Sequence, residues 1–250
     1  MPSSTIRPAE VSENRLLAAL DERLFGELAP LLERMPLVVR DRLYDMNQPI
    51  DNVYFPIDGV VSMVTPIEGA PDAVVEVATV GSEGMVGLSL FLGADSTPGF
   101  AFTQVAGAAL RMSGDDFVEA TRAHAAFARL MHRYTQALFV QVSQSTACNR
   151  VHSIHERCAR WLLMTDDRVQ RDEFDLSAQF IGQMLGERRS SVNVVVSALQ
   201  QAGFIRYRRG RMKIVDRVGL ESAACGCYRV VRAEYDAMLG AARRMAEQAH

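Results

Sequence analysis

Arg189, Ser190, Asn193 and Ser197 recur at intervals that place them on one face of a helix. A guanidinium in that setting can donate two hydrogen bonds to guanine O6 and N7. An asparagine amide can pair with adenine, and a serine hydroxyl can reach a base or a phosphate. Arg189, Ser190 and Asn193 are therefore the expected base readers. Arg188 and Ser191 flank them and are better placed for the sugar–phosphate backbone. Val192, Val196 and Leu199 repeat by four and three on the opposite side, which should face a core.

Downstream, Arg206, Arg208, Arg209, Arg211 and Lys213 crowd around Gly210. The flanking residues Ile205, Tyr207, Ile214 and Val215 favour strands. A hairpin this basic has no packing reason to exist, and phosphate contact supplies one. The helices alone could be an amphipathic pair whose polar face meets only water. The ribbon beside them shifts the reading to nucleic acid.

These residues need a frame. Ser177 is a good N-cap, Ile181 and Leu185 give a short helix its inward side, and Gly186 allows a tight turn. A second helix starts near Arg188. Helix, turn, helix and basic ribbon over 176–215 form a winged helix-turn-helix, which sets one helix in a DNA major groove.

The rest of the chain divides by glycine and proline. Residues 115–181 contain neither, so helices are expected at Asp115 to Thr121, Ala126 to Cys148 and His152 to Asp166. Residues 43–112 hold eight Gly and five Pro between runs rich in Val, Phe and Tyr. Strands are predicted at Val53–Phe55, Val60–Val64, Val74–Val80, Phe100–Val105 and Ala108–Met112, forming a compact barrel or roll. Leucines from Leu16 to Leu32 recur at helical spacing, and Pro36 should end that segment. In the long helix, Phe127, Met131, Tyr134, Leu138, Gln141, Ser145 and Cys148 alternate by four and three. That seam suits a dimer coiled coil, with the chain's own barrel as the alternative partner.

Charge follows the same division. Residues 1–112 hold seven Arg and Lys against fifteen Asp and Glu; residues 113–250 hold twenty against fifteen. The formal net charge of −3 thus hides a basic second half, where phosphate contact is expected. No apolar run has the length of a membrane span, and Met1 to Val11 lacks a signal peptide's apolar core. A cytoplasmic location away from membranes is expected.

With the motif go Val53-Tyr-Phe-Pro-Ile-Asp-Gly-Val-Val-Ser62, Gly81-Ser-Glu-Gly-Met-Val-Gly-Leu88 and Arg157-Cys-Ala-Arg-Trp-Leu-Leu163. In these segments and in their order the chain resembles the Crp/Fnr family of bacterial transcription regulators over roughly 14–220. The resemblance implies an α+β chain: a cyclic-nucleotide-binding-like β-roll, a long dimerisation helix and a C-terminal winged helix-turn-helix. It divides the chain into 1–112 (sensor roll with N-terminal helices), 113–148 (connecting and dimerisation helices), 149–217 (DNA-binding domain) and 218–250 (helical tail). It also implies a homodimer on a roughly palindromic double-stranded DNA operator, with RNA polymerase as a further partner.

The family's cyclic-nucleotide binders use a Gly-Glu pair and an Arg followed by Ser or Thr. Here the corresponding region offers Val86-Gly87-Leu88 and Phe100-Ala-Phe-Thr103. Residues 43–110 contain no Arg, Lys or His but eight Asp and Glu. A buried cyclic phosphate would lack its main counter-charge, so cyclic AMP and cyclic GMP are not expected to bind tightly. Gly81, Glu83, Gly84, Met85, Gly87, Leu88, Phe102 and Thr103 are the candidate pocket for an unidentified small effector. The simpler reading is an interior filled by its own side chains.

No metal or other cofactor is expected. The N-terminal cysteine cluster of iron–sulfur family members is missing. His152, His155 and Cys158 fall three apart on one helix, but no fourth ligand is evident. Cys225-Gly-Cys227 is a weak signal, and packing of a C-terminal helix explains it more simply. No catalytic constellation stands out, so no enzyme is expected. The rival to a DNA reader is a ligand-sensing signalling module that acts through protein partners.

Overall fold

The computed structural model describes residues 13–169 and 171–247. Glycine- and proline-bounded runs before residue 114 become seven antiparallel strands: β1 (Glu33–Leu37), β2 (Arg42–Tyr44), β3 (Asn52–Pro56), β4 (Val60–Ile67), β5 (Ala70–Val80), β6 (Phe100–Val105) and β7 (Gly107–Ser113). They pair as two sheets, β1-β7-β3 and β2-β6-β4-β5. All five predicted strands are present. Strands β1 and β2 were not foreseen, and Pro36 does not end a helix but lies inside β1. Its missing N–H is tolerated because β1 is an edge strand, paired only with β7. The leucine-rich segment before it forms one short helix, α1 (Glu22–Leu28), between 3-10 turns at Leu17–Ala19 and Ala29–Leu31.

The roll is filled. Val53, Phe55, Val60, Met85 and Leu110 are fully enclosed and meet Phe117 and Phe127 from the helices that follow. A second cluster packs Tyr44, Tyr54, Val61, Val80, Val86 and Ala101 together.

Those helices are α2 (Gly114–Ala123), α3 (Ala125–Val151) and α4 (Ile154–Asp166). Ser113 caps α2, and Ser153 with Glu156 forms a reciprocal capping box on α4. After them come β8 (Phe174–Asp175), α5 (Ala178–Leu185), α6 (Arg189–Gln201), β9 (Ile205–Arg208), β10 (Arg211–Ile214), α7 (Arg217–Ala223) and α8 (Cys227–Glu247). Strands β8, β10 and β9 make a small third sheet.

The seam of α3 is covered within the chain, by the roll, the alternative partner, and by the last helix. Phe127, Met131, Tyr134, Leu138, Gln141, Ser145 and Cys148 are all buried within the single chain. They face the roll and α8, which lies along α3 through Tyr228, Val231, Tyr235, Met238 and Leu239. The polar members, which would weaken a coil, make internal hydrogen bonds instead. Gln141 donates from Nε2 to the Thr79 carbonyl (3.0 Å), and Ser145 Oγ accepts from Arg160 (3.4 Å).

Candidate nucleic-acid interface

Helices α5 and α6 take their relative angle from a short turn. Ser177 Oγ accepts the Phe180 N–H (3.1 Å) to start α5, and Gly186, with φ of +66°, ends it in the left-handed region. Gly182 lets the turn close. A Cβ there would stand 2.7 Å from the Glu187 carbonyl oxygen, whose own N–H donates to the Gly182 carbonyl (2.7 Å). Arg157 of α4 holds the turn from below: it donates to Glu187 Oε1 (2.9 Å) and to the Leu185 carbonyl. Sequence reasoning missed Arg157 and Glu187 because the two lie thirty residues apart.

Helix α6 begins at Arg189 with Arg188 as N-cap. Val192, Val196 and Leu199 are buried as predicted, joined by Val195. Arg188, Arg189, Ser190, Asn193 and Ser197 are exposed, and Ser191 is half-buried. Val194 also lies on the outer side, 65% exposed. The hairpin β9–β10 turns through Arg209 and Gly210, both with positive φ, as a two-residue turn requires. Arg206, Arg208, Arg209 and Arg211 project into solvent. Lys213 is partly covered and pairs with Asp172 (3.1 Å). With Glu173, these five cations surround one shallow hollow. Tyr207 ties the ribbon to the helices: its hydroxyl accepts the Ala178 N–H (2.9 Å), and its own N–H donates to Gln200 Oε1 (2.7 Å).

The residues of the candidate effector pocket do not line a single cavity. Glu83 borders a hollow shared with α8, whereas Phe102 borders another shared with α5. Gly81 and Gly84 are sites of close approach. A Cβ on Gly81 would meet Arg168 at 2.5 Å, and one on Gly84 would meet the Tyr134 ring at 2.5 Å. Glu83 is buried and paired with Arg168 Nε (2.8 Å). Met85 is enclosed, and its carbonyl accepts from the Tyr134 hydroxyl (2.7 Å). Gly87 precedes the 3-10 turn that starts at Leu88. Phe102 meets Phe180 of α5 edge to face, and the buried Thr103 hydroxyl has no partner among the described residues.

His152, His155 and Cys158, three apart in sequence, do not form a set: Cys158 is in the core and His155 is exposed. His152 instead meets Cys148, Cys225 and Cys227, so a group of possible ligands exists where none was expected.

Residues 156–223 match the model of the Crp-like helix-turn-helix domain. Among solved structures, FixK2 from Bradyrhizobium japonicum superposes with a TM-score of 0.66 at 17% identity, over 78% of this chain and 98% of that one. The chain has the fold of Crp/Fnr regulators, and its residues 156–223 match the Crp-like helix-turn-helix domain. The regulator CLP of Xanthomonas campestris, described as responsive to cyclic di-GMP, gives 0.61 at 16% identity over 78% and 99% of the two chains. A CRP/FNR-family transcriptional regulator from Thermus thermophilus gives 0.59 at 15% over 77% and 98%. No relative is found among curated proteins. At these identities the superpositions establish the Crp/Fnr fold alone. No helix among the described residues is long and apolar enough to cross a membrane.

The reading head is joined to the roll by a buried polar contact at Glu76 of β5. Its carboxyl accepts from Trp161 Nε1 (2.6 Å) and lies 2.6 Å from Ser62 Oγ. Ser62 Oγ also lies 2.9 Å from Gln104 Oε1, whose Nε2 donates to Thr165 (3.1 Å). The Ser62 hydroxyl carries one proton, so a protonated Glu76 satisfies both contacts by donating to Ser62, which then donates to Gln104. Burial pushes Glu76 up from 4.5 to about 7, against the lowering effects of Ser62, Trp161, Arg160 and Arg168. Because the folded value is raised, its contribution to stability is full below the unfolded value and is lost as pH climbs through about 7. Chemical denaturation from about pH 5 to about pH 8 should therefore show a loss on the order of 2–3 kcal/mol. Glu76→Gln, which keeps a donor toward Ser62 at every pH, should remove most of that loss.

Proposed function

We propose that the protein is a cytoplasmic, homodimeric, sequence-specific DNA-binding transcription regulator that acts with RNA polymerase at a roughly palindromic operator. The observation that carries this reading is the exposed polar face of α6 beside the cationic ribbon. In it, Arg189, Ser190 and Asn193 read bases. Arg188, Ser191, Ser197, Arg206, Arg208, Arg209, Arg211 and Lys213 hold the backbone. Residues 149–217 form the reading unit, 1–112 the sensor-type roll with N-terminal helices, 113–148 the connecting and dimerisation helices and 218–250 a C-terminal helical tail. The protein has no catalytic role in this reading.

The dimer is proposed to use the outer side of α3, since its inner seam is occupied. Gln136, Phe139, Ser143 and Thr146 are exposed at alternating steps of three and four, with Phe139 66% exposed and Val151 70% exposed at the helix end. A second copy packed there would bring two reading heads toward half-sites roughly 34 Å apart. Phe139→Asp should convert the dimer to monomer in sedimentation velocity without loss of helical content.

The roll is proposed not to be a receptor for cyclic AMP or cyclic GMP. Arg168, whose stem lies against Gly81, is already paired with Glu83, and a phosphate at the Gly81–Gly84 turn would compete with that carboxylate. Isothermal titration with either nucleotide should give no micromolar binding; micromolar or tighter affinity would refute this part of the reading.

Selection from a random DNA pool tests the assignment of roles. Asn193→Ala should relax preference at one base position, at a cost of about 1–3 kcal/mol. Arg208→Ala should weaken all sequences alike and reduce the salt slope by about one. Identical specificity profiles for the two variants would contradict the assignment of α6 to the groove.

A further inference from the structure

Cys148 and His152 lie one helical turn apart at the C-terminal end of α3, where His152 is the C-cap. Cys225 lies in the turn between α7 and α8, and Cys227, beyond Gly226, is the first residue of α8. The chain folds so that one donor atom from each of the four lies within 4.8 Å of the other three. Cys148 Sγ is 3.4 Å from Cys225 Sγ, and Cys227 Sγ is 3.7 Å from His152 Nδ1. All four cysteines of the chain are free thiols, and a sulfur pair at 3.4 Å is well outside disulfide length. With Zn–S near 2.3 Å and Zn–N near 2.0–2.1 Å, a tetrahedral site sets its ligand atoms about 3.8 Å apart for two sulfurs and about 3.6 Å for sulfur and nitrogen. The observed separations are close to the edges of that tetrahedron.

We propose that Cys148, His152, Cys225 and Cys227 bind one zinc ion as a closed structural site. The three sulfurs are buried and form a cluster of their own, apart from the two apolar cores, while half-buried His152 leaves a way in. Four protein ligands fill the tetrahedron, so no position is left for a reacting water or substrate. On binding, the three thiols release their protons to solvent, and each thiolate forms a bond to the ion. A zinc ion with three thiolates and one imidazole carries one net negative charge.

That charge answers a second observation. Arg160 is buried and forms no ion pair among the described residues. Its Nη1 reaches only Ser145 Oγ (3.4 Å) and Met164 Sδ (3.3 Å), and its Nε has no partner. It is within electrostatic reach of all three sulfurs. An anionic metal cluster would supply a nearby counter-charge to this buried guanidinium, which has no direct ion pair among the described residues.

The position gives the ion a role. His152 ends the long helix, and Ser153 caps α4, the first helix of the reading head. Cys225 and Cys227 lie at the root of α8. One ion would therefore fasten the joint between head and long helix to the start of the tail, and metal supply would set how firmly that joint is held.

The test uses the full chain, purified reduced and without chelator, with metal counted by mass spectrometry and the site probed with Co(II). One zinc per chain is expected, and Co(II) should give tetrahedral bands with thiolate charge transfer. Cys225→Ser and His152→Ala should each weaken metal affinity by at least about tenfold. His155→Ala, at an exposed position in the first turn of α4, should retain the metal. If Cys225→Ser fails to fold, zinc-dependent protection of Cys225 and Cys227 from alkylation in the unmodified chain gives the same answer. A folded, reduced chain that takes up no zinc in excess metal would overturn the proposal. So would Co(II) bound without thiolate charge transfer, or a Cys148–Cys225 disulfide in place of metal in protein taken directly from cells. None of these readouts depends on DNA, so the site and the regulatory reading stand or fall separately.

Discussion

The guanidinium of Arg168 is the point at which the three parts of the chain are joined. It sits just beyond α4, 4% exposed, and reaches a carboxylate of the roll, a side chain of the long helix and a carbonyl of α4. Nε bonds Glu83 (2.8 Å), Nη2 donates to Gln141 Oε1 (3.1 Å) and Nη1 donates to the Met164 carbonyl (2.6 Å). Each of its three nitrogens has an acceptor, and removing one partner of such a buried pair costs about 3–5 kcal/mol. The neighbouring sequence fits this arrangement. Gly81 has no Cβ because the Arg168 stem lies against it, and Gly84 leaves room for the Tyr134 ring. Asn14 then pins the same turn by donating to the Gly84 and Pro56 carbonyls.

Because Arg168 lies between the roll and the head, the head is held in place rather than tethered. Phe180 of α5 packs on Phe102 of the roll and on Trp161 of α4, and Trp161 in turn bonds Glu76. Apolar and polar contacts cross the same boundary, so a displacement of α4 would disturb both. The Glu76 carboxyl has a value near neutrality, which makes its proton a further variable acting on this boundary. The basic ribbon and the outer face of α6 lie away from it and stay open to solvent.

The reading head was legible to within a residue at most boundaries because its signals are local. Ser177, Gly186, Gly210 and the valine spacing of α6 each act through neighbours in sequence. The roll was legible for the same reason, except where short strands at its edges carry few β-forming residues, as in Glu33–Leu37 and Arg42–Tyr44. What failed was partner choice. The α3 seam was correctly seen as buried, but its period does not say whether a second chain, the roll or α8 covers it. Pairings such as Arg157 with Glu187 and Glu83 with Arg168 were invisible, since periodicity carries no information over thirty or eighty-five residues. The same distance hid the meeting of Cys148 with Cys225.

The central claim is that the head grips duplex DNA through the charges of its ribbon and the first turns of α6. Fluorescence anisotropy with labelled genomic fragments, repeated across a salt series, tests it directly. The account predicts association at low salt and a log–log slope of several units, since each neutralised phosphate contributes about 0.9. No association in dilute buffer, or binding indifferent to salt, would contradict it.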